Sequence, residues 1–207
     1  MRWSKPNIWL LAGILSAATL VLFGFDDQII TFVQKHISRD LKSAARIFSD
    51  TGVALFYLIF AIFLSYAYFK KSRRLKDVIW AYIKVQIIFS FLTVRILKIC
   101  LGRARPNYGS GFTFFSMEAD FNSFPSGHSS DAFVSGIFLF YLLKYSRFAK
   151  YRFLPLILAF LVAVSRVAGV AHFPSDAAAG AAIGAFGACF FISRLKEQEH
   201  ESIPKPV

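Results

Sequence analysis

The sequence predicts an all-α integral membrane protein, built as a six-helix transmembrane bundle with one additional amphipathic helix. Hydrophobic residues make up 56% of the 207 positions and charged residues only 17%, and the chain contains 25 Phe. This composition lies outside the ordinary soluble range. The apolar residues form runs close to the about 20 residues that a helix needs to cross a bilayer. The runs are too long and too uniformly apolar for the alternating strands of a membrane barrel.

Six apolar runs are predicted to span the membrane within a single domain at residues 1–195. They lie near residues 7–25, 52–69, 78–97, 125–143, 153–170 and 174–191. The first run resembles a secretory signal, but it continues past its small residues and is long enough to span, so we expect it to be retained. The polar tail at 196–207 is predicted to be cytoplasmic and disordered.

The segment between the first two runs has a different pattern. Over residues 28–48, apolar side chains recur near helical spacing, while four cations take other positions. This pattern predicts an amphipathic helix that lies in the outer interface of the membrane. A short buried helix packed against the bundle fits the pattern equally well.

The formal net charge of +12 comes from cations that cluster between the apolar runs. Such clusters are typical of cytoplasmic loops, so the basicity indicates topology and not nucleic-acid binding. With both termini in the cytoplasm, every cluster falls on the cytoplasmic side and the polar motifs described next fall on the opposite side. The clustered cations are Arg2, Lys5, Lys70, Lys71, Arg73, Arg74, Lys76, Lys144, Arg147, Lys150, Arg152, Arg194 and Lys196.

Three motifs place polar side chains at the ends of apolar runs, where such residues are costly and usually functional. The first motif contains Lys98 and Arg105, the second is the sequence at 125–128, and the third begins with Ser165 and Arg166. Lysine and arginine side chains could hold the oxygens of a phosphoryl group and stabilise the charge that develops on them.

The second motif, Pro-Ser-Gly-His, opens the fourth predicted span. Backbone N–H groups near Ser126 and Gly127 would therefore lie at a helix N-terminus, which favours an anion. Glycine also allows a phosphate to approach the backbone closely.

Two histidines could provide the remaining chemistry. A neutral imidazole at His172 could attack phosphorus if a partner fixes its tautomer. Asp176 lies four residues later, one helical turn away, and is the candidate for that partner. His128, at another span end on the same side, could protonate the leaving oxygen as a general acid.

Neither a metal nor a cofactor is predicted. No Cys or His cluster has metal-ligand spacing, and no glycine-rich nucleotide loop occurs. The two cysteines, Cys100 and Cys189, are expected to be small buried hydrophobic residues.

The motifs together resemble the three-part signature of the type 2 phosphatidic acid phosphatase superfamily. The match comprises Lys98 with Arg105-Pro106, then 125–128, then Arg166 with His172 and Asp176. The resemblance implies a six-helix bundle with its site at the outer face of the membrane. It makes His172 the nucleophile, Asp176 its orienting partner and His128 the general acid. The phosphate ligands that it implies are Lys98, Arg105, Ser126, Gly127 and Arg166.

Four other polar residues have no assigned role in the motifs. We expect Arg95 to extend to the interface, and we favour a headgroup contact over a pocket role for Arg103. Asp131, one turn inside the fourth span, is expected to pair with a cation in the bundle. Lys84 could be that cation or could line a polar cavity.

The expected function is a lipid phosphatase of a bacterial inner membrane, with its active site at the periplasmic or extracellular face. Its substrate would be a phosphomonoester or pyrophosphate on phosphatidic acid, phosphatidylglycerol phosphate, undecaprenyl pyrophosphate or lipid A. The aromatic and acidic loop at 106–124 is expected to select among them. The alternatives are a lipid-to-lipid phosphotransferase and, from another class, a non-catalytic transporter or scramblase. The particular lipid and the oligomeric state stay open.

Overall fold

The protein folds into eight α-helices over the residues that the structure, a computed structural model, describes: the backbone of 5–201 and the side chains of 13–195 and 197. The predicted all-α class is confirmed. A π-helical segment, Gln86–Thr93, joins α4 to α5 without interruption. The helices are α1 Lys5–Phe23, α2 Asp26–His36, α3 Arg39–Phe69, α4 Arg73–Val85, α5 Val94–Leu101, α6 Gly127–Lys144, α7 Leu154–Ala168 and α8 Pro174–Glu201.

The segment predicted as one amphipathic helix at 28–48 is divided in the structure. The helix breaks after His36, and α3 begins at Arg39 and continues for 31 residues through the predicted second span. Ser38 causes the new start, because its backbone is extended and its hydroxyl accepts a hydrogen bond from the Leu41 N–H at 3.3 Å. The cationic half of the predicted interfacial helix is therefore the first part of α3.

The C-terminal end of the chain departs from the prediction. The backbone of α8 continues to Glu201, so the start of the predicted disordered tail is helical. The remainder of that tail, 202–207, lies outside the described residues.

Three helical segments of the described chain are long and apolar enough to cross a membrane. They are Arg39–Phe69, Ala149–Ala168 and Pro174–Leu195. Gly13–Phe23 and Asp26–His36 meet at a bend of 72° and pass the same test together, which would bring the number to four. The protein is thus a multi-pass membrane protein, and the six-span count stays a prediction.

Helices α6 and α8 form the centre of the bundle. Helix α8 packs on α1 and α6, and α7 packs on α6 and α3. A β-carbon added to Gly180 would lie 2.1 Å from the Ser126 carbonyl oxygen, and one added to Gly184 would lie 2.4 Å from that of Ser130. Glycines four residues apart let helix backbones approach closely in membrane proteins. These contacts place the N-terminal part of α8 against the first turn of α6.

The basic connections lie together at one end of the bundle. The Arg74 guanidinium, just inside α4, lies 5.7 Å from the ring centroid of Tyr145, which follows α6. Lys84 and Arg194 line one cleft near the same end. The N-termini of α6 and α8, which carry His128 and Asp176, lie at the opposite end of these helices.

Candidate active site

The site is built where the N-termini of α6 and α8 meet. Ser126 caps α6, and its hydroxyl oxygen accepts hydrogen bonds from the Ser129 N–H at 3.4 Å and the Ser129 hydroxyl at 3.1 Å. The Ser126 N–H donates to the Asp176 carbonyl at 2.9 Å and so joins the two helix ends. Beside them, a β-carbon added to Gly127 would meet only Val94 Cγ1, at 3.9 Å. The α6 N-terminus therefore has free space next to its backbone.

The third motif places His172 next to Asp176, the partner that the spacing in the sequence indicated. His172 is 2% exposed and Asp176 is fully buried. Nδ1 of His172 lies 3.7 Å from Oδ2 of Asp176, longer than a hydrogen bond but close enough for electrostatic contact. Burial lowers the pKa of His172 to about 3, although the Asp176 carboxylate raises it, and the Lys98 cation lowers it further. His172 is therefore a neutral imidazole at physiological pH.

Asp176 is held by donors other than the histidine. Its Oδ2 accepts hydrogen bonds from the Ser123 hydroxyl at 2.5 Å and the Phe173 N–H at 2.9 Å. Its Oδ1 accepts one from the Arg103 guanidinium at 2.6 Å. Three donors from three parts of the chain fix the position of this carboxylate.

Arg103 has a different role from the one that the sequence favoured. We expected it to face lipid headgroups, and this was wrong: Arg103 is 1% exposed. One guanidinium nitrogen donates to Asp176 and the other donates to Asp26 at 2.7 Å. Phe173 covers the guanidinium, with its ring centroid 4.2 Å away. The buried cation is thus paired on both sides, which offsets the cost of its desolvation.

Asp26, at the start of α2, completes this buried network. Its carboxylate accepts hydrogen bonds from the Ser175 N–H at 2.9 Å and from the Ser175 hydroxyl. The first turn of α8 is therefore attached to α2 as well as to Arg103. Helix α8 carries Asp176 in that same turn, so the network also holds the carboxylate that faces His172.

His128 contacts a carboxylate from α3. Its Nε2 lies 2.9 Å from Oδ1 of Asp50, and the Arg166 guanidinium lies 3.1 Å from the same oxygen. The Ser49 hydroxyl accepts a second hydrogen bond from that guanidinium nitrogen at 2.9 Å. The Asp50 side chain is 62% exposed, so this pair opens to the surface.

Lys98 and Arg105 complete the group of cations. Lys98 donates to the Asn122 carbonyl, and Arg105 donates through Nε to the Ala119 carbonyl at 3.1 Å. Lys98 interacts electrostatically with Arg105, Arg166 and His172. Lys98 and Arg166 thus interact with both imidazoles, and Arg105 interacts with Lys98 and Arg166.

The model of the PAP2 superfamily matches residues 79–199, which contain all three motifs. The chain belongs to the PAP2 superfamily. The predicted family membership is confirmed.

Two curated relatives of this PAP2 protein are lipid A 1-phosphatases. The protein from Rhizobium johnstonii is 36% identical over 206 residues, which cover 89% of this chain and 82% of the relative. The protein from Rhizobium etli is 33% identical over 183 residues, which cover 82% of this chain and 77% of the relative. A bacitracin transport permease protein from Bacillus licheniformis is 34% identical over 112 residues, about half of each chain at 51% and 52%.

A solved structure has the same fold as this PAP2 protein. It is a transmembrane PAP2 type phosphatidylglycerolphosphate phosphatase from Bacillus subtilis, with a TM-score of 0.66 over 99% of this chain and 100% of the other. The sequence identity is 21%, so the match establishes the fold. The family, the phosphatase relatives and the apolar helices together indicate a membrane-bound hydrolase of the lipid phosphatase type.

The loop predicted to select the substrate lies over this end of the PAP2 bundle. It is attached to the site through the Arg105 N–H, which donates to the Asp120 carbonyl at 2.8 Å. Phe115 and Met117 are 79% and 76% exposed, and Phe114 and Phe115 both have positive φ, which is rare for bulky residues. The loop surrounds an open cleft of about 470 Å³. Large apolar side chains are therefore displayed at its tip.

Sequence reasoning missed Asp26 and Asp50, which lie outside the three motifs of the PAP2 chain. They lie just outside the two ends of the predicted amphipathic segment at 28–48, and no spacing rule links either acid to a motif. The expectation that Asp131 pairs with a cation was also wrong. Its carboxylate instead interacts with Tyr57 and Ser90. Lys84 is exposed and lines a separate cleft, and Arg95 is exposed, as expected.

Proposed function

We propose that this protein removes a phosphate from a membrane lipid through a phosphohistidine intermediate on His172, without a metal. The observation that carries the proposal is a neutral imidazole next to a fixed carboxylate and within range of Lys98 and Arg166. Cations in this position suit a phosphoryl group, whose charge must be held while its bonds change.

The proposed reaction has two steps. In the first, Nε2 of His172 attacks phosphorus because Nδ1 faces Asp176, and the ester P–O bond breaks while His128 protonates the leaving oxygen. In the second, water attacks phosphorus and gives a proton back to His128, and the P–N bond breaks. The products are the dephosphorylated lipid and inorganic phosphate, and both histidines return to their starting states.

Each of the other motif residues has a proposed role in holding the phosphate. Arg166 can offer planar N–H pairs and Lys98 a point charge. Arg105 would close the cluster from the loop side. Ser126 and Gly127 would contribute the α6 N-terminus, whose first N–H groups favour an anion.

We place the site at the outer face of a bacterial inner membrane, on a bundle with six crossings and cytoplasmic termini. The basic connections lie at the opposite end of the bundle from the motif residues, which fits the positive-inside rule. A lipid could then enter from the bilayer with its phosphate at the interface.

The leading substrate is the 1-phosphate of lipid A. Two relatives named as lipid A 1-phosphatases share 33% and 36% identity over most of this chain. The experiment is phosphate release by purified protein from lipid A, phosphatidic acid, phosphatidylglycerol phosphate and undecaprenyl pyrophosphate, with chelator present. We expect release to be fastest from lipid A and to be abolished in His172→Ala. Equal rates on all four lipids would contradict the assignment of lipid A as the substrate. Turnover that is retained in His172→Ala would contradict the assignment of His172 as the nucleophile.

Two other functions are separated by the same variant. A phosphotransferase would release phosphate only slowly and would label a second lipid, so product analysis with added acceptor lipid distinguishes it. The relative named as a transport permease favours a test of transport as well. Transport that survives in His172→Ala, with no hydrolysis in the wild type, would indicate that function.

A further inference from the structure

Asp50 contacts two motif residues, although it belongs to none of the motifs. It lies on α3, before the segment at 79–199 that matches the superfamily model. One of its carboxylate oxygens lies within 3.1 Å of both the His128 imidazole and the Arg166 guanidinium. A carboxylate at this distance from an imidazole can select its tautomer and stabilise its protonated form.

If His128 is a general acid, its surroundings require an anionic partner such as Asp50. Arg166 on α7 and Lys98 on α5 both interact electrostatically with the imidazole. Both are positive, and like charges oppose protonation of the ring. Asp50 is the anion that contacts the ring, and it also shares its charge with Arg166.

The position of Asp50 does not depend on the imidazole alone. Arg166 is also bound by the Ser49 hydroxyl, and Ser49 is fully buried in α3 next to Asp50. The guanidinium therefore fixes α3 at this point. The carboxylate that follows Ser49 is held in front of His128.

We propose that Asp50 is a positioning residue that holds His128 in the protonated, correctly oriented form needed by a general acid. The inference rests on the proposed hydrolysis and extends it to a residue outside the motifs. Asp50 accepts the hydrogen bond from Nε2, which leaves Nδ1 to give its proton to the leaving oxygen as the P–O bond breaks. The carboxylate itself gains and loses no proton.

The main test is Asp50→Asn, which keeps the shape of the side chain and removes its charge. General acid catalysis matters most for poor leaving groups, and it contributes about 10²–10⁴-fold. We therefore expect kcat to fall about 100-fold for a lipid phosphate with an alkoxide leaving group. For p-nitrophenyl phosphate, whose leaving group needs no proton, kcat should fall by less than about 3-fold. Equal losses on both substrates would indicate a structural role and overturn the inference.

Two variants control for folding and for helix charge. Asp50→Glu restores the carboxylate and should recover much of the lipid activity. Asp40→Asn removes an exposed acid from the first turn of the same helix and should leave both activities unchanged. Failure of Asp50→Glu to rescue, with normal unfolding temperature, would count against the inference.

A second measurement does not depend on turnover. In ¹³C-histidine-labelled protein in detergent, the His128 signal can be assigned with His128→Gln and titrated by NMR. We expect its midpoint to move down by about one pH unit or more in Asp50→Asn, because an opposite charge has been removed. An unchanged midpoint would overturn the inference whether or not the protein hydrolyses lipids. A shifted midpoint with no phosphate release from any lipid would support the pairing and contradict the proposed function instead.

Discussion

The two carboxylate–imidazole pairs of the site have opposite surroundings. Asp176, which faces His172, is fully buried and is held by three donors. Asp50, which faces His128, is 62% exposed and is held by the imidazole and Arg166. A buried pair has a fixed geometry, whereas an exposed pair can exchange with solvent and move.

This difference suits the two roles proposed for the histidines. A nucleophile must stay neutral and point at phosphorus, which favours burial and a rigid partner. A general acid must gain and lose a proton in every cycle, which favours contact with water. The site therefore has a buried half, built around α8, and a more exposed half between α3 and α6.

The largest expected effect is that of Asp176→Asn on the buried half. The change removes the charge that pairs with Arg103 and leaves a buried cation with one partner fewer, which costs about 3–5 kcal/mol of unfolding free energy. It should also lower phosphate release by about 10³-fold or more, as expected when a carboxylate that orients an imidazole is lost. Thermal unfolding in detergent and phosphate release on lipid A measure the two effects. A loss of stability as small as that of Asp50→Asn would contradict the comparison.

The next effect is expected from Arg103→Lys. A lysine cannot bridge Asp26 and Asp176 with two nitrogens of one plane, so at least one charged hydrogen bond is lost, at about 2 kcal/mol. Activity should fall about 10-fold because Asp176 changes position. A 10-fold loss corresponds to about 1.4 kcal/mol of activation free energy. Arg95→Lys is the matched control, because Arg95 is exposed on the preceding helix and should tolerate the change.

Much of this structure could be predicted from the sequence, for a physical reason. The helix positions follow from apolar runs, and α6, α7 and α8 begin within two residues of the predicted spans at 125–143, 153–170 and 174–191. The His172 and Asp176 pair follows from a separation of four residues across the start of α8. These features depend on local periodicity, which a sequence displays directly.

The missed features depend on contacts between distant parts of the chain. Arg103 was expected at the headgroups because an arginine at a span end usually lies there. Its burial requires Asp26 from a helix 77 residues earlier, and no local pattern indicates that pairing. Asp50 and His128 are likewise brought together only by the packing of α3 near α6.

A smaller effect is expected from Gly180→Ala, which tests how the two halves are joined. The added β-carbon would lie 2.1 Å from the Ser126 carbonyl, so the N-termini of α6 and α8 must separate. Such overpacking costs about 1–3 kcal/mol. Activity should also fall, because Ser126 and Asp176 no longer keep their backbone hydrogen bond. Gly13→Ala is the control, since a β-carbon there would meet no atom within 4 Å; an equal loss in both variants would refute the close contact.

A pH dependence is also expected in the buried half, from the titration of His172. Burial lowers the pKa of His172 to about 3, below its value of 6.5 when exposed, so the unfolded chain binds a proton that the folded protein excludes. The stability of the wild type should therefore fall as pH drops below 6.5, relative to His172→Gln, which carries no titrating ring. Above that pH the difference between the two proteins should be constant. Unfolding temperatures measured from pH 8 to 4 in detergent test this. A difference that stays constant below pH 6 would show that the folded protein also binds a proton at His172. The imidazole would then be less isolated from solvent than its burial indicates.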